Sequence, residues 1–138
     1  MKTEQPLLIT SILAAANLTK NLFVGFDGAL CSANVKPLGV IAADTLSGEQ
    51  MPVSVSGITL VFSGAAVALG APVVSNAAGK AITATAVSVT IPVAATPVTS
   101  DAAQPTLVIA GSVLPQVIAG YAVDSASGAD ELIRVLLT

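Results

Sequence analysis

The chain has 138 residues, a formal net charge of −3, one cysteine and no histidine; 54% of its residues are hydrophobic, 9% are charged and 3% are aromatic. Histidine-dependent catalysis, His-ligated metal sites and a disulfide framework are therefore excluded, and intrinsic disorder needs the opposite composition. Without a basic patch, and with almost no aromatics to stack on bases, no nucleic-acid partner is expected.

Residues 1–17 read as an extended arm. Pro6 opens the apolar run Leu7, Leu8, Ile9, Ile12 and Leu13, which needs a partner to cover it. In an extended chain Leu7, Ile9 and Ser11 share one face, and Leu8, Thr10 and Ile12 the other. The segment also imitates a cleaved leader, with Lys2, then Leu7–Leu13, then Ala14-Ala15-Ala16. Glu4 cancels its basic charge and Thr10-Ser11 interrupt the apolar stretch, so the arm is the preferred reading.

Leu22–Phe26, the turn signal Asp27-Gly28 and Ala29–Ser32 predict a β-hairpin. Pro37 then breaks the chain before a strand over Leu38–Ala42. Asp44–Gly48 is a polar turn. Met51–Ser56 alternates as a half-buried strand does, and Gly57 is a bulge or bend before the strand Ile58–Phe62. Strands follow at Pro72–Ser75 and Lys80–Ala84, with the turn Asn76–Gly79 between them. Val87–Ile91 alternates cleanly, Pro92–Pro105 is a proline- and threonine-rich excursion, and Leu107–Ala110 is a short strand. Val117–Val123, the turn Asp124–Asp130 and the strand Glu131–Leu137 close the chain. Only Ser11–Ala16 and Ala65–Leu69 would permit a helical turn.

The pattern predicts an all-β fold, a small barrel or sandwich of about ten short strands at roughly 8–12-residue spacing, carrying the extended arm. Residues 18–138 form a single β domain, with 85–116 an exposed insertion. A weak internal echo relates Gly39–Asp44, Ser47-Gly48 and Val53–Val55 to Gly120–Asp124, Ser127-Gly128 and Ile133–Val135. The charge-free stretches Gln50–Gly79, Ala81–Ser100 and Ala102–Val123 are long enough to span a bilayer. Prolines and glycines break each, and no Lys/Arg cluster flanks them, so no membrane span is expected.

Nothing in the chain assembles a catalytic, cofactor or metal site. Glu4, Asp27, Asp44, Glu49, Asp101, Asp124, Asp130 and Glu131 sit almost entirely at predicted turns, where carboxylates cap backbone. Asp44 with Glu49, or Asp124 with Asp130, offers too few oxygens for calcium. Cys31 reads as a buried small hydrophobe, and Arg134 as an ion-pair partner across strands or across a subunit boundary, the former preferred. Too few charges remain to cover a monomer's surface, which points to an oligomer or a lattice component.

The order of these pieces is informative. Pro37-Leu38-Gly39-Val40-Ile41-Ala42 is followed by Met51-Pro52-Val53-Ser54-Val55-Ser56-Gly57, Gly70-Ala71-Pro72-Val73-Val74 and Asn76-Ala77-Ala78-Gly79-Lys80. The chain closes on Ile118-Ala119-Gly120-Tyr121-Ala122-Val123 and Leu132-Ile133-Arg134-Val135-Leu136-Leu137. Over residues 18–84 and 117–138 the chain resembles the tailed-phage capsid cement, or head decoration, proteins; Thr85–Gln116 departs from that pattern. The resemblance implies a non-enzymatic virion protein on the outer surface of the capsid. It implies a homotrimer that bridges neighbouring major capsid protein subunits. By analogy at the level of fold, the arm would bind the capsid through Pro6, Leu7, Leu8, Ile9, Ile12 and Leu13. The alternative is a secreted or surface-exposed β module with a cleaved leader.

Overall fold

The computed structural model describes residues 2–85 and 117–138. Among them lie eight β-strands and no helix: β1 Gln5–Leu13, β2 Phe23–Val24, β3 Gly39–Ile41, β4 Gln50–Phe62, β5 Pro72–Ser75, β6 Ala81–Thr83, β7 Gly120–Ala122 and β8 Leu132–Leu137. The all-β expectation holds. The strands follow the β-branched runs, and β2 and β5 stop where Gly25 and Asn76 interrupt them.

The strands form one antiparallel sheet in the order β2-β3-β4-β8-β7-β5-β6, with β1 added on β4. The ends of that path approach each other. The Phe23 amide of β2 donates to the Gly79 carbonyl beside β6, 2.7 Å away, and just beyond β4 the Gly64 amide donates to the Ala81 carbonyl of β6, also at 2.7 Å. The sheet is thereby nearly closed into a barrel.

β4 organises the whole. Val53 and Ser54 pair with Thr10 and Ile9 of β1 and with Ile41 and Val40 of β3. Gly57 and Ile58 pair with Pro6 and Gln5 of β1 and with Leu137 and Leu136 of β8. A residue has two edges, so β1 takes one edge of β4, while β3 and then β8 share the other.

Two buried clusters hold the sheet. The first gathers Phe23, Val40, Val61, Val73, Ile133 and Val135 with small residues such as Cys31 and Ala81. The second gathers Ala14, Leu18, Val24, Ile41, Met51 and Val53, with Ile12 and Val55 packed against it. β4 changes face between them: Met51 and Val53 serve the second cluster, Val61 the first. The switch falls at Val55, which has no partner in the β1 ladder. An extra residue of this kind shifts the phase of a strand and bends it.

Several details differ from the sequence reading. Met51–Ser56 and Ile58–Phe62 are one 13-residue strand, because Gly57 adopts φ +101° and lets the chain bend without breaking the ladder. The hairpin over 22–32 shrinks to the two-residue β2, a Val24–Leu30 bridge and the Asp27-Gly28 turn. On their other edge Phe23 and Val24 take Val40 and Gly39 of β3 as ladder partners. Neither helix-permissive window is helical: β1 runs to Leu13, and Val67 bridges to Ala126. The strands expected at Val87–Ile91 and Leu107–Ala110, the excursion Pro92–Pro105 and nearly all of the 85–116 insertion lie outside the described residues. The internal echo corresponds to two antiparallel hairpins, β3–β4 and β7–β8, and β4 pairs with β8.

Candidate functional site

The arm is extended, and its backbone is already paired. Gln5 through Leu13 run antiparallel to β4, from Gln5 opposite Ile58 to Leu13 opposite Gln50. The ladder is interrupted twice. Leu7 has no partner between Pro6 and Leu8, and Val55 has none on β4. The two irregularities compensate, so the register on both sides of them is the same.

Gly57 is the contact that places this strand. A Cβ there would lie 2.7 Å from the Leu7 amide nitrogen and 3.1 Å from the Pro6 α-carbon. Only a residue without a side chain lets β1 pass at this height. Beyond the strand, the Glu4 carboxylate accepts from the Leu60 amide at 3.4 Å and lies 3.9 Å from the Lys20 ammonium. At the other end the Ala14 amide donates to the Glu49 carbonyl at 2.9 Å, and the Gly48 amide to the Ala14 carbonyl at 2.9 Å.

These anchors decide which way the backbone groups of β1 point. Ala14 faces β4 with its N–H and C=O, so by strand alternation Ile12 and Thr10 do too. Ile9, Ser11 and Leu13 then direct theirs to the opposite edge, which has no strand partner among the described residues, although Gly28 packs against the Leu13 carbonyl. The close approach of the Leu7 nitrogen to Gly57 likewise turns Pro6 outward, where its missing N–H leaves nothing unpaired.

The side chains remain uncovered. Leu7 is 82% exposed, Leu8 58%, Ile9 51% and Leu13 57%, and Pro6 is exposed as well. Ile12 differs: it packs against the second buried cluster as an inward anchor. A long apolar edge strand is a liability for a free protein.

The carboxylates are occupied with structural work. Asp44 accepts from the Lys20 amide at 2.8 Å, Asp27 from the Ala29 amide at 3.1 Å and Glu49 from the Leu46 amide at 3.1 Å. Asp130 pairs with the Lys80 ammonium. Asp124 accepts both prongs of the Arg134 guanidinium, at 2.9 and 2.8 Å. That cross-hairpin pair, chiefly through its side-chain hydrogen bonds, holds the Asp124 carboxyl down at about 2. Glu131 is lowered by the Ser127 hydroxyl. No cluster of three or more His, Cys, Asp or Glu among the described residues could hold a metal ion. No helix among them is long and apolar enough to cross a membrane. Cys31 is buried, its thiol donating to the Val35 carbonyl at 3.2 Å, and burial pushes the thiol up.

Sequence reasoning missed the residues that seat the strand. Gly57 was legible as a bend, not as a slot for β1. The Ala14 clamp carried no signal at all.

A family model of phage cement proteins matches residues 1–110. The chain belongs to the phage cement protein family. The match includes β1 and runs on through residue 110, so it covers much of the segment that departs from the resemblance seen in the sequence. No curated protein matches the chain. Among solved structures, the head fiber gp8.5 N base of bacteriophage phi29 aligns with TM-score 0.62 and 15% identity, over 95% of this chain and 93% of that one. At that identity the likeness is one of fold. The cement protein is thus a structural component of the phage capsid, carried on its exterior.

Proposed function

We propose that this cement protein bridges neighbouring major capsid protein subunits as a homotrimer, and that β1 makes the capsid contact. Pro6, Leu7, Leu8, Ile9 and Leu13 are the contacting side chains, and Ile12 fastens the strand to the barrel. The observation that carries this reading is the state of β1: fixed in register on β4, yet open along its outer edge and exposed on its apolar side chains. An extended capsid segment can add to the N–H and C=O groups of Ile9 and Ser11; at Leu13 the edge is closed by Gly28 of the Asp27-Gly28 turn. Main-chain bonds then give affinity and alternate side chains give specificity. Because β1 is ordered before contact, little conformational entropy opposes docking. Many copies on one shell act together.

The test is co-sedimentation with heads that lack the cement protein. The double variant Leu7→Asp, Ile9→Asp is expected to bind about tenfold more weakly or worse, as loss of an apolar anchor does. Its melting curve should match the wild type, because both side chains are exposed. Wild-type binding by this variant would overturn the reading.

A further inference from the structure

β1 carries a hazard in its own composition. Leu7–Leu13 is uncharged, holds no Pro or Gly, and is built from large apolar and β-branched side chains. It lies off the main path of the sheet, paired with β4 alone among the described strands. Short uncharged segments of this kind on an open edge are the ones that stack copy on copy. Edges are commonly blunted with charge, and this strand has none. The charges just before it point elsewhere: Lys2 reaches the Leu132 carbonyl and Glu4 the Leu60 amide, both on the barrel side.

The backbone supplies what charge does not. At one end, a Cβ on Gly57 would lie 2.4 Å from the Gln5 carbonyl oxygen and 2.7 Å from the Leu7 nitrogen. Both groups therefore face β4, and Pro6 between them faces outward. The next residues to face outward are Ile9 and Ser11. From Pro6 to Ile9 the step is three residues, because of the irregularity at Leu7, whereas an added strand keeps a period of two. Pro6 also has no N–H to offer. At the other end the Ala15 amide donates to the Gly28 carbonyl at 3.0 Å, and a Cβ on Gly28 would lie 2.1 Å from the Leu13 carbonyl oxygen. The Asp27-Gly28 turn thus sits against the outer edge at Leu13.

We infer that these two stops are a guard built into the fold: they cut the outer edge of β1 down to Ile9–Ser11 and keep the free protein from pairing edge to edge with its own copies. Inside the barrel's sheet, β4 holds the strand from Gln5 to Leu13. A second β1 meets only the N–H and C=O groups of Ile9 and Ser11, too few bonds to offset the freedom lost on association. The 25–28 turn is the decisive stop, because Leu13 is in step with Ile9 and Ser11 and lengthens the window once released. The guard concerns the free protein and does not depend on the capsid contact proposed above.

Ala15→Pro tests it by removing the N–H that latches the turn. Ala15 is exposed and its N–H faces the outer edge, so the β4 ladder is left intact. In sedimentation of the free protein, Ala15→Pro is expected to self-associate about tenfold more tightly than wild type, as added main-chain hydrogen bonds allow. Adding Ser11→Pro, which deletes an outward N–H from the window, should return association to the wild-type value. If Ala15→Pro fails to fold, amide exchange of dilute wild-type protein decides: Ile9 and Ser11 should exchange freely, while Thr10, Ile12 and Ala15 are protected. Unchanged association of a folded Ala15→Pro, a gain that survives Ser11→Pro, or slow exchange at Ile9 and Ser11 would overturn the guard. None of these measurements uses heads, so lost or retained shell binding by Leu7→Asp, Ile9→Asp bears on the capsid reading alone.

Discussion

Gly57 and Leu7 are fitted to each other: the α-carbon of Gly57 faces the backbone where Leu7 leaves the ladder, and a methyl group there would lie 2.7 Å from the Leu7 nitrogen. Gly57→Ala is therefore expected to push β1 off β4. Strain at φ +101° adds to the collision, for a total of about 1–3 kcal/mol. Amide exchange should quicken over residues 5–13, while β7 and β8 stay protected. Capsid binding should weaken too, since the strand must then be ordered on contact.

Ser63 ties the end of β4 to the loop before β8. Its hydroxyl donates to the Gly128 carbonyl at 2.7 Å and accepts from the Glu131 amide at 3.0 Å. Ser63 is fully buried. Ser63→Ala leaves both partners without that bond and should cost about 1–3 kcal/mol. Urea unfolding checks this, with a lower midpoint expected at unchanged slope.

Acid should remove the contribution of the Asp124–Arg134 pair. The folded carboxyl sits near 2, below its ordinary 3.8. The folded state thus binds fewer protons than the unfolded one in that range. The stabilisation is complete above 3.8 and disappears as pH falls through about 2. Asp124→Asn should lose a few degrees of melting temperature near neutral pH, on the order of 1 kcal/mol for a charged hydrogen bond. It should also fall less steeply than wild type across that window. Glu131 still titrates in both proteins, so the difference between them reports Asp124.

Cys31 should be silent toward thiol reagents in the folded protein. It is buried, and its raised pKa leaves little thiolate at neutral pH. Labelling with a chromogenic disulfide should proceed at the rate of opening and become immediate in urea. Rapid labelling of native protein would show that the 31–36 loop opens without unfolding.

The strands after Gly57 were legible because β-branched runs and turn residues are local signals. Pro72–Ser75 and the Asn76–Gly79 turn appear as expected, the Asn76 carboxamide accepting from the Ala78 and Lys80 amides. The Asp27-Gly28 turn also forms, with Gly28 at φ +79°. Pairing was not legible, because it depends on which edges meet. Phe23 and Val24 keep the local hairpin, through the Val24–Leu30 bridge and the Cys31 amide on the Phe23 carbonyl, and also extend the sheet through β3.

The candidate site divides in the same way. Composition and the order of small apolar strands determined that the chain is all-β, poor in chemistry and in need of covering partners. The run from Pro6 to Leu13 marked an apolar segment in need of cover. Only the tertiary structure decided that this run lies on the edge of β4, with Ile12 turned inward and its neighbours left in water. The reason is physical. Side-chain hydrophobicity is written along the chain, whereas the hydrogen-bonding edge that accepts a strand exists only once β3, β4 and β8 have come together.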